Sequence, residues 1–147
     1  MLLSGVDLAA NHSAAHFTLG TKYCSPDGKE YRYYQFDNGA GNVAAVAGNV
    51  AYFYAPGGTS AGATGVATSD LSDSAEVGAG VFQAALTDQY HGWFQISGAA
   101  TLNTALTGGG GGDPLTPTGA TDGTLDVVTA VTDHVCAVAI DATAQRS

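Results

Sequence analysis

The order of apolar and polar positions along the chain predicts short β-strands joined by glycine-rich turns. The clearest stretch, 90–98, alternates between two faces and places the large side chains of Trp93 and Phe94 on opposite sides. Its neighbours are mostly Ala, Gly, Thr and Ser, so we expect this strand at the centre of the sheet that they complete. The pair Ser97 and Gly98 is predicted to join it to a second short strand.

A β-hairpin is the second clear prediction. The turn 25–28 contains Pro26, which presets φ for the second turn position, and Gly28, which tolerates positive φ. It joins a strand at 21–24 to the aromatic strand 29–36. The other predicted strands are 16–20, 49–54, 77–86, 101–106 and 134–140.

The pattern contains no heptad repeat and no convincing amphipathic helix, so the predicted fold is mostly β. We expect an N-terminal arm at 1–15 and one β domain at 16–147. The stretch 59–79, rich in Gly, Ala, Thr and Ser, is interpreted mainly as a loop, and 142–147 as a tail.

Composition points to a thin core. The chain has 147 residues and is 45% hydrophobic, but alanine dominates that fraction. Small side chains bury little apolar area each, so we expect stability to be supplemented by association with further copies or a partner.

The net charge of −9 is unevenly distributed. Lys22, Lys29 and Arg32 lie close together, whereas ten acids and no Lys or Arg lie between Asp37 and Asp141. Such a surface repels nucleic acid and anionic membranes, so neither is an expected partner. The basic cluster is interpreted as a solvated strand edge, with docking on an acidic partner as the alternative. No signal peptide or membrane-spanning stretch is recognisable, so we expect a soluble chain made in the cytoplasm.

Candidate catalytic and metal-binding groups are few. The pairs His12 with His16 and His134 with Cys136 lack the further ligands of a zinc site. The acids Asp70, Asp73 and Glu76 lack the ligand spacing of a calcium loop, and we expect them to be surface groups on a loop. With no nucleophile motif and no phosphate loop, we expect no enzyme, no metal and no cofactor. Cys24 and Cys136 are expected to be free thiols rather than a disulfide.

A set of aromatic residues could line one face of the protein. Tyr and Trp combine a large contact area with a polar tip, which suits a protein interface, a half-buried sheet face or a sugar site. The set is Tyr31, Tyr33, Tyr52, Tyr54, Tyr90 and Trp93.

The order of these features resembles that of capsid decoration (cement) proteins of tailed double-stranded DNA phages. The resemblance spans about 16–145, and its elements follow one another along the chain. They are a Phe17-x-Leu19-Gly20 strand, the turn with Pro26, Asp27 and Gly28, a Gly/Ala/Thr loop, Gly78-x-Gly80, Gly92-Trp93-Phe94, Gly112-Asp113-Pro114-Leu115, Asp122-Gly123-x-Leu125 and a last strand ending 137–142.

The resemblance implies a small β-sandwich or β-tulip-like domain with long loops and an N-terminal arm. It also implies a homotrimer on the outer surface of the expanded capsid, bound to the major capsid protein and stabilising contacts between its subunits. A head-fibre or tail-associated adhesin that binds host-surface glycan is the main alternative, and a small hydrolase of unfamiliar type is the other. The residues expected at capsid or subunit interfaces are Leu2, Leu3, Val6, Leu8, Phe17, Tyr31, Arg32, Tyr33, Tyr52, Tyr54 and Trp93.

Overall fold

The computed structural model describes residues 5–56 and 65–147, which are built almost entirely of strands, turns and bends. One short 3-10 turn covers Leu71–Asp73. The strands form two sheets. They are β1 (Lys22–Cys24), β2 (Glu30–Phe36), β3 (Val50–Tyr54), β4 (Val66–Thr68), β5 (Ser74–Phe82), β6 (His91–Ser97), β7 (Ala99–Thr101), β8 (Pro114–Thr116), β9 (Asp126–Val127), β10 (Ala137–Asp141) and β11 (Ala144–Arg146).

The first sheet closes on itself. Strand β2 pairs antiparallel with β6 along its length and parallel with β4 at Gln35 and Phe36. Strand β4 pairs with β3, β3 with β5, and β5 with β6, so five strands form a complete ring. Strand β1 attaches to the N-terminal half of β2. The closed ring leaves its five strands paired on both sides over part of their length, while β1 remains an edge strand.

Aromatic rings packed against alanines fill the interior of this small barrel. Phe82 lies 4.8 Å from Phe94 and 5.6 Å from Phe36, measured between ring centroids. Ala51 and Ala67 lie in the same buried cluster, where a narrow barrel leaves room for only small residues between the rings.

The second sheet has the order β7-β11-β10-β8-β9 and covers one side of the barrel. Its inner face contributes Leu115 and Ala139 to a core that also contains Leu125, just before β9, and Val50 and Tyr52 of β3. The Tyr52 hydroxyl donates to the backbone oxygen of Thr124, which ties the two layers together. Burial raises the pKa of Tyr52 far above its ordinary value, so this phenol stays neutral.

Several predictions are confirmed. The fold is mostly β, and the 25–28 turn joins β1 to β2 through Ser25 N–H to Lys29 O at 2.9 Å. Strand β6 lies between β2 and β5, with Trp93 on its outer face and Phe94 inside the barrel. The glycine Gly98 separates β6 from β7. The more detailed sandwich or tulip description remains a prediction.

Other predictions are wrong. Residues 16–20 form bends and a turn rather than a strand. The range 59–79 is not mainly a loop, because β4 and the first half of β5 lie within it, while 57–64 falls outside the described residues. Strand β7 ends at Thr101, β10 begins only at Ala137, and the supposed tail 142–147 contains β11. The small polar residues that suggested a loop, such as Thr68 and Ser69, are fully buried.

Candidate functional site

The N-terminal segment, residues 5–20, covers the outer face of the barrel. Beneath it lie Tyr31, Tyr33 and Trp93, which form a buried aromatic cluster on β2 and β6. Phe17 packs edge-on against this cluster, with its ring centroid 5.2 Å from that of Tyr33 and 5.3 Å from that of Trp93. Val6 and Leu8 complete the cover. This segment therefore shields aromatic surface that the strands alone would expose to water.

A small number of hydrogen bonds hold the segment in place. His12 and His91 exchange backbone hydrogen bonds of 2.9 and 2.8 Å. The Tyr33 hydroxyl lies 2.8 Å from His12 Nδ1 and accepts from the His16 backbone N–H at 3.2 Å. The two imidazole rings of His12 and His16 stack with their centroids 3.7 Å apart.

Electrostatics favour a neutral His12. Burial lowers the pKa of His12, and the nearby imidazoles of His16 and His91 lower it further, while Asp7 opposes them. The described residues contain no group of three or more His, Cys, Asp or Glu that could hold a metal ion. His12 and His16 help to hold the segment on the barrel.

The structure brings together only part of the predicted interface set. Val6, Leu8, Phe17, Tyr31, Tyr33 and Trp93 meet in the covered cluster. Tyr52 lies in the core between the sheets, and Tyr54 is half-buried at the end of β3. Arg32 lines a cavity at one end of the barrel, and Leu2 and Leu3 lie outside the described residues.

The aromatic residues consequently do not form one exposed stripe. Tyr33 and Trp93 are buried by the chain itself, and Tyr52 belongs to a different cluster. The alternation of 90–98 placed Trp93 and Phe94 on opposite faces correctly, but it could not show that residues 5–20 fold back over one of those faces. A sugar that stacked on these rings would first have to displace that segment.

Of the three acids predicted to be surface groups on a loop, Asp70 and Asp73 are buried and bind the backbone of a neighbouring loop, while Glu76 is exposed. Asp70 accepts from the Gly41 backbone N–H at 2.8 Å, and Asp73 accepts from the Ala40 N–H at 2.6 Å. Both carboxylates are buried, contrary to the prediction, because backbone donors replace the water that they lose. Glu76 is separate from them and accepts from the Thr118 hydroxyl.

A cavity of about 310 Å³ lies at the end of the barrel where β2 begins, next to the second sheet. The barrel contributes Arg32, Tyr34 and Phe53, and the second sheet contributes Gln145. We call this cavity the barrel mouth. Sequence reasoning missed it, although the alternation of β2 places Arg32 on the same face as the buried Tyr34.

The thiol of Cys136 also lines the barrel mouth. Burial raises its pKa to about 11, so it is protonated near neutral pH. Both thiols are free, but Cys24 is exposed rather than buried.

The outer face of the second sheet carries exposed aliphatic side chains that sequence reasoning also missed. Val138 and Ile140 alternate on β10 with the buried Ala137 and Ala139. Val131 and Val135, in the segment that leads into β10, are exposed as well. We call Val131, Val135, Val138 and Ile140 the aliphatic patch.

No protein-family model, curated protein or solved structure matches this chain. Among the described residues, no helix has both the length and the apolar character needed to cross a membrane.

Proposed function

We propose that this chain is a structural virion protein that binds the outside of an expanded phage capsid as a homotrimer. In this role it stabilises contacts between subunits of the major capsid protein. The proposal rests on the sequence resemblance described above and on one structural observation that supports it. That observation is the aliphatic patch on the second sheet.

The aliphatic patch supports association because exposed β-branched side chains on a sheet face are costly in water. Val138 is 40% exposed and Ile140 is 44% exposed, side by side on the outer face of β10. Apolar side chains that are exposed on one face of a sheet are suited to contact with another protein surface. We assign it to contact between copies of the chain.

The N-terminal segment supplies a second surface, for the coat. Its side chains pack on the barrel chiefly through Phe17, Val6 and Leu8, so few interactions must be exchanged for it to rearrange. Binding energy to a coat subunit would offset that exchange. The acidic exterior would then face solvent and discourage aggregation of particles.

The stabilising mechanism is linkage. A protein that binds the expanded lattice and not the disrupted one stabilises the expanded lattice by mass action. The stabilising free energy increases with the ratio of the free protein concentration to its Kd. The glycan-binding alternative gains no support, because Tyr33 and Trp93 are covered by the chain's own N-terminal segment.

The first test is the copy number of the chain in purified phage particles that encode it. Gel densitometry against the coat protein should give hundreds of copies in a fixed ratio. A handful of copies would favour a fibre, and none would refute the virion role.

The second test addresses the trimer. Light scattering after size exclusion should give three times the 14.7 kDa mass of the chain. Val138→Asp should yield monomer, because it buries a charge in the interface. Val46→Asp is the matched control, since Val46 is 38% exposed but lies outside the patch. A monomeric wild type, or equal effects of the two variants, would contradict the assignment.

A further inference from the structure

The size and the lining residues of the barrel mouth are those of a binding site rather than of a packing defect. Its volume of about 310 Å³ corresponds to roughly ten water molecules at ~30 Å³ each. Phe53 and Ile96 supply apolar wall, while Arg32, Tyr34 and Gln145 supply polar groups. An apolar cavity with a few convergent polar groups is the usual form of a small-ligand site, and barrel mouths are a common location.

Arg32 gives the site its charge preference. Within the described ranges no carboxylate lies within 4.0 Å of its guanidinium, and the ion pair found there joins Lys22 to Glu30. The chain nevertheless carries thirteen acids against four Lys and Arg. Arg32 faces a cavity in a strongly acidic chain and forms no ion pair with a carboxylate of the described residues, so it is suited to a ligand carboxylate. The planar guanidinium binds such a group through two parallel hydrogen bonds.

Gln145 adds an independent requirement from the other sheet. The residue is 4% exposed, and its buried Oε1 accepts no hydrogen bond from any described residue. A buried acceptor without a partner is destabilising, so a ligand that brings an N–H or O–H donor would restore the missing bond. The site is therefore suited to a ligand with an anionic group next to Arg32 and an N–H or O–H donor next to Gln145.

We propose that the barrel mouth binds a carboxylate that carries a neighbouring N–H or O–H donor and a short apolar stem. An acylated amino acid has this chemistry, and so does a glutamate or aspartate in an extended segment of a neighbouring chain. Arg32 binds the carboxylate, Gln145 accepts from the donor, and Phe53 and Ile96 contact the stem. The site is independent of the proposed virion role, since neither the copy number nor the trimer depends on it.

The test is a titration of the isotope-labelled full chain, followed by NMR chemical shifts. The probe is hexanoylglycine, which has a carboxylate, an amide N–H and an apolar stem. Hexanoylglycinamide is the neutral match. For a ligand of this size we expect a Kd of about 1–10 mM. Shifts should centre on the amides of Gly78, Gly80, Ile96 and Cys136, and the amide should bind about tenfold more weakly or not at all.

Variants separate the site from general charge attraction. Arg32→Gln should weaken hexanoylglycine about tenfold or more, while Arg146→Gln should not. The two changes remove the same charge, and Arg146 is exposed on β11 outside the cavity. Equal binding of acid and amide by the wild type would overturn the proposal without any variant. Shifts elsewhere, or an Arg32→Gln variant that binds normally, would also overturn it.

A second pair of probes identifies the source of the carboxylate. Acetyl-Leu-Glu-Leu-amide carries one glutamate in a short peptide, and acetyl-Leu-Gln-Leu-amide is its neutral match. Selective binding of the glutamate peptide supports a neighbouring chain as the source. Binding of hexanoylglycine alone supports a free small acid, and binding of neither probe refutes the site.

Discussion

Replacing Tyr33 by Phe should weaken the docking of the N-terminal segment while leaving the barrel folded. The Tyr33 hydroxyl makes two of the contacts that hold the segment, one at 2.8 Å from His12 Nδ1 and one at 3.2 Å from the His16 backbone N–H. The ring itself is fully buried against Trp93 and Phe17. Because phenylalanine keeps that ring, the substitution removes hydrogen bonds without opening a cavity.

The expected magnitude follows from those two bonds. A hydrogen bond contributes about 0.5–1.5 kcal/mol net, and the lower half of that range applies here because His12 is only half-buried and water can replace the hydroxyl. The segment should lose about 1–2 kcal/mol of docking free energy. Local opening should then become roughly five to thirty times more frequent.

Amide hydrogen exchange measures this opening directly. The backbone amides of His12 and His91 each donate across the bridge between the segment and β6, so their exchange should accelerate by that factor. The amides of Phe82 and Cys136, which donate to Asn49 O and Leu115 O, report on the barrel and the second sheet. Their protection should be unchanged.

Tyr23→Phe is the matched control. Tyr23 packs in the same cluster, 6.1 Å from Trp93 between ring centroids, but its hydroxyl has no hydrogen bond among the described residues. In the Tyr23→Phe variant the His12 and His91 amides should exchange at the wild-type rate. If Tyr33→Phe leaves the His12 amide protected, or if protection falls equally at Phe82, the segment is not held locally by this hydroxyl and the reasoning fails.

Two further predictions concern strand packing and pH. Gly80→Ala should lower the free energy of unfolding by about 2–5 kcal/mol, because φ is +132° and a Cβ would lie 2.6 Å from the Gln95 backbone oxygen. Gly110→Ala is the control, since a Cβ there would meet nothing within 4 Å. It should change the free energy of unfolding, measured by chemical denaturation, by less than about 0.5 kcal/mol. Acid should loosen the N-terminal segment, because the folded pKa of His12 lies below the ordinary 6.5 and the released segment therefore binds protons more readily. The contribution of neutral His12 to docking is fully present above the ordinary pKa and is lost as pH falls through the lowered pKa. Exchange of the His12 amide, corrected for intrinsic rate, should therefore rise between pH 7 and 5. An exchange rate that falls with acid would contradict this sign.

Local pattern determined a good part of this fold. The alternation in 90–98 placed Trp93 and Phe94 on opposite faces, because side chains of a strand alternate whatever lies around it. The turn with Pro26 and Gly28 predicted its hairpin, because backbone dihedral preferences act within four residues. The mostly β class followed from the same local rules.

Only the tertiary structure decided which surfaces are covered and where the cavity lies. Strand β2 pairs with both β4 and β6, which lie far from it in the chain. The two-residue alternation of side chains along a strand does not show which strands pair. Thr68 and Ser69 are buried because the narrow space suits small residues, a property of the site and not of their hydrophobicity. Alternation turns Arg32 inward, but the second sheet, with Gln145, makes that position a cavity. Long-range packing therefore decided the candidate site, since a side chain's neighbours across two sheets are not encoded in its local sequence.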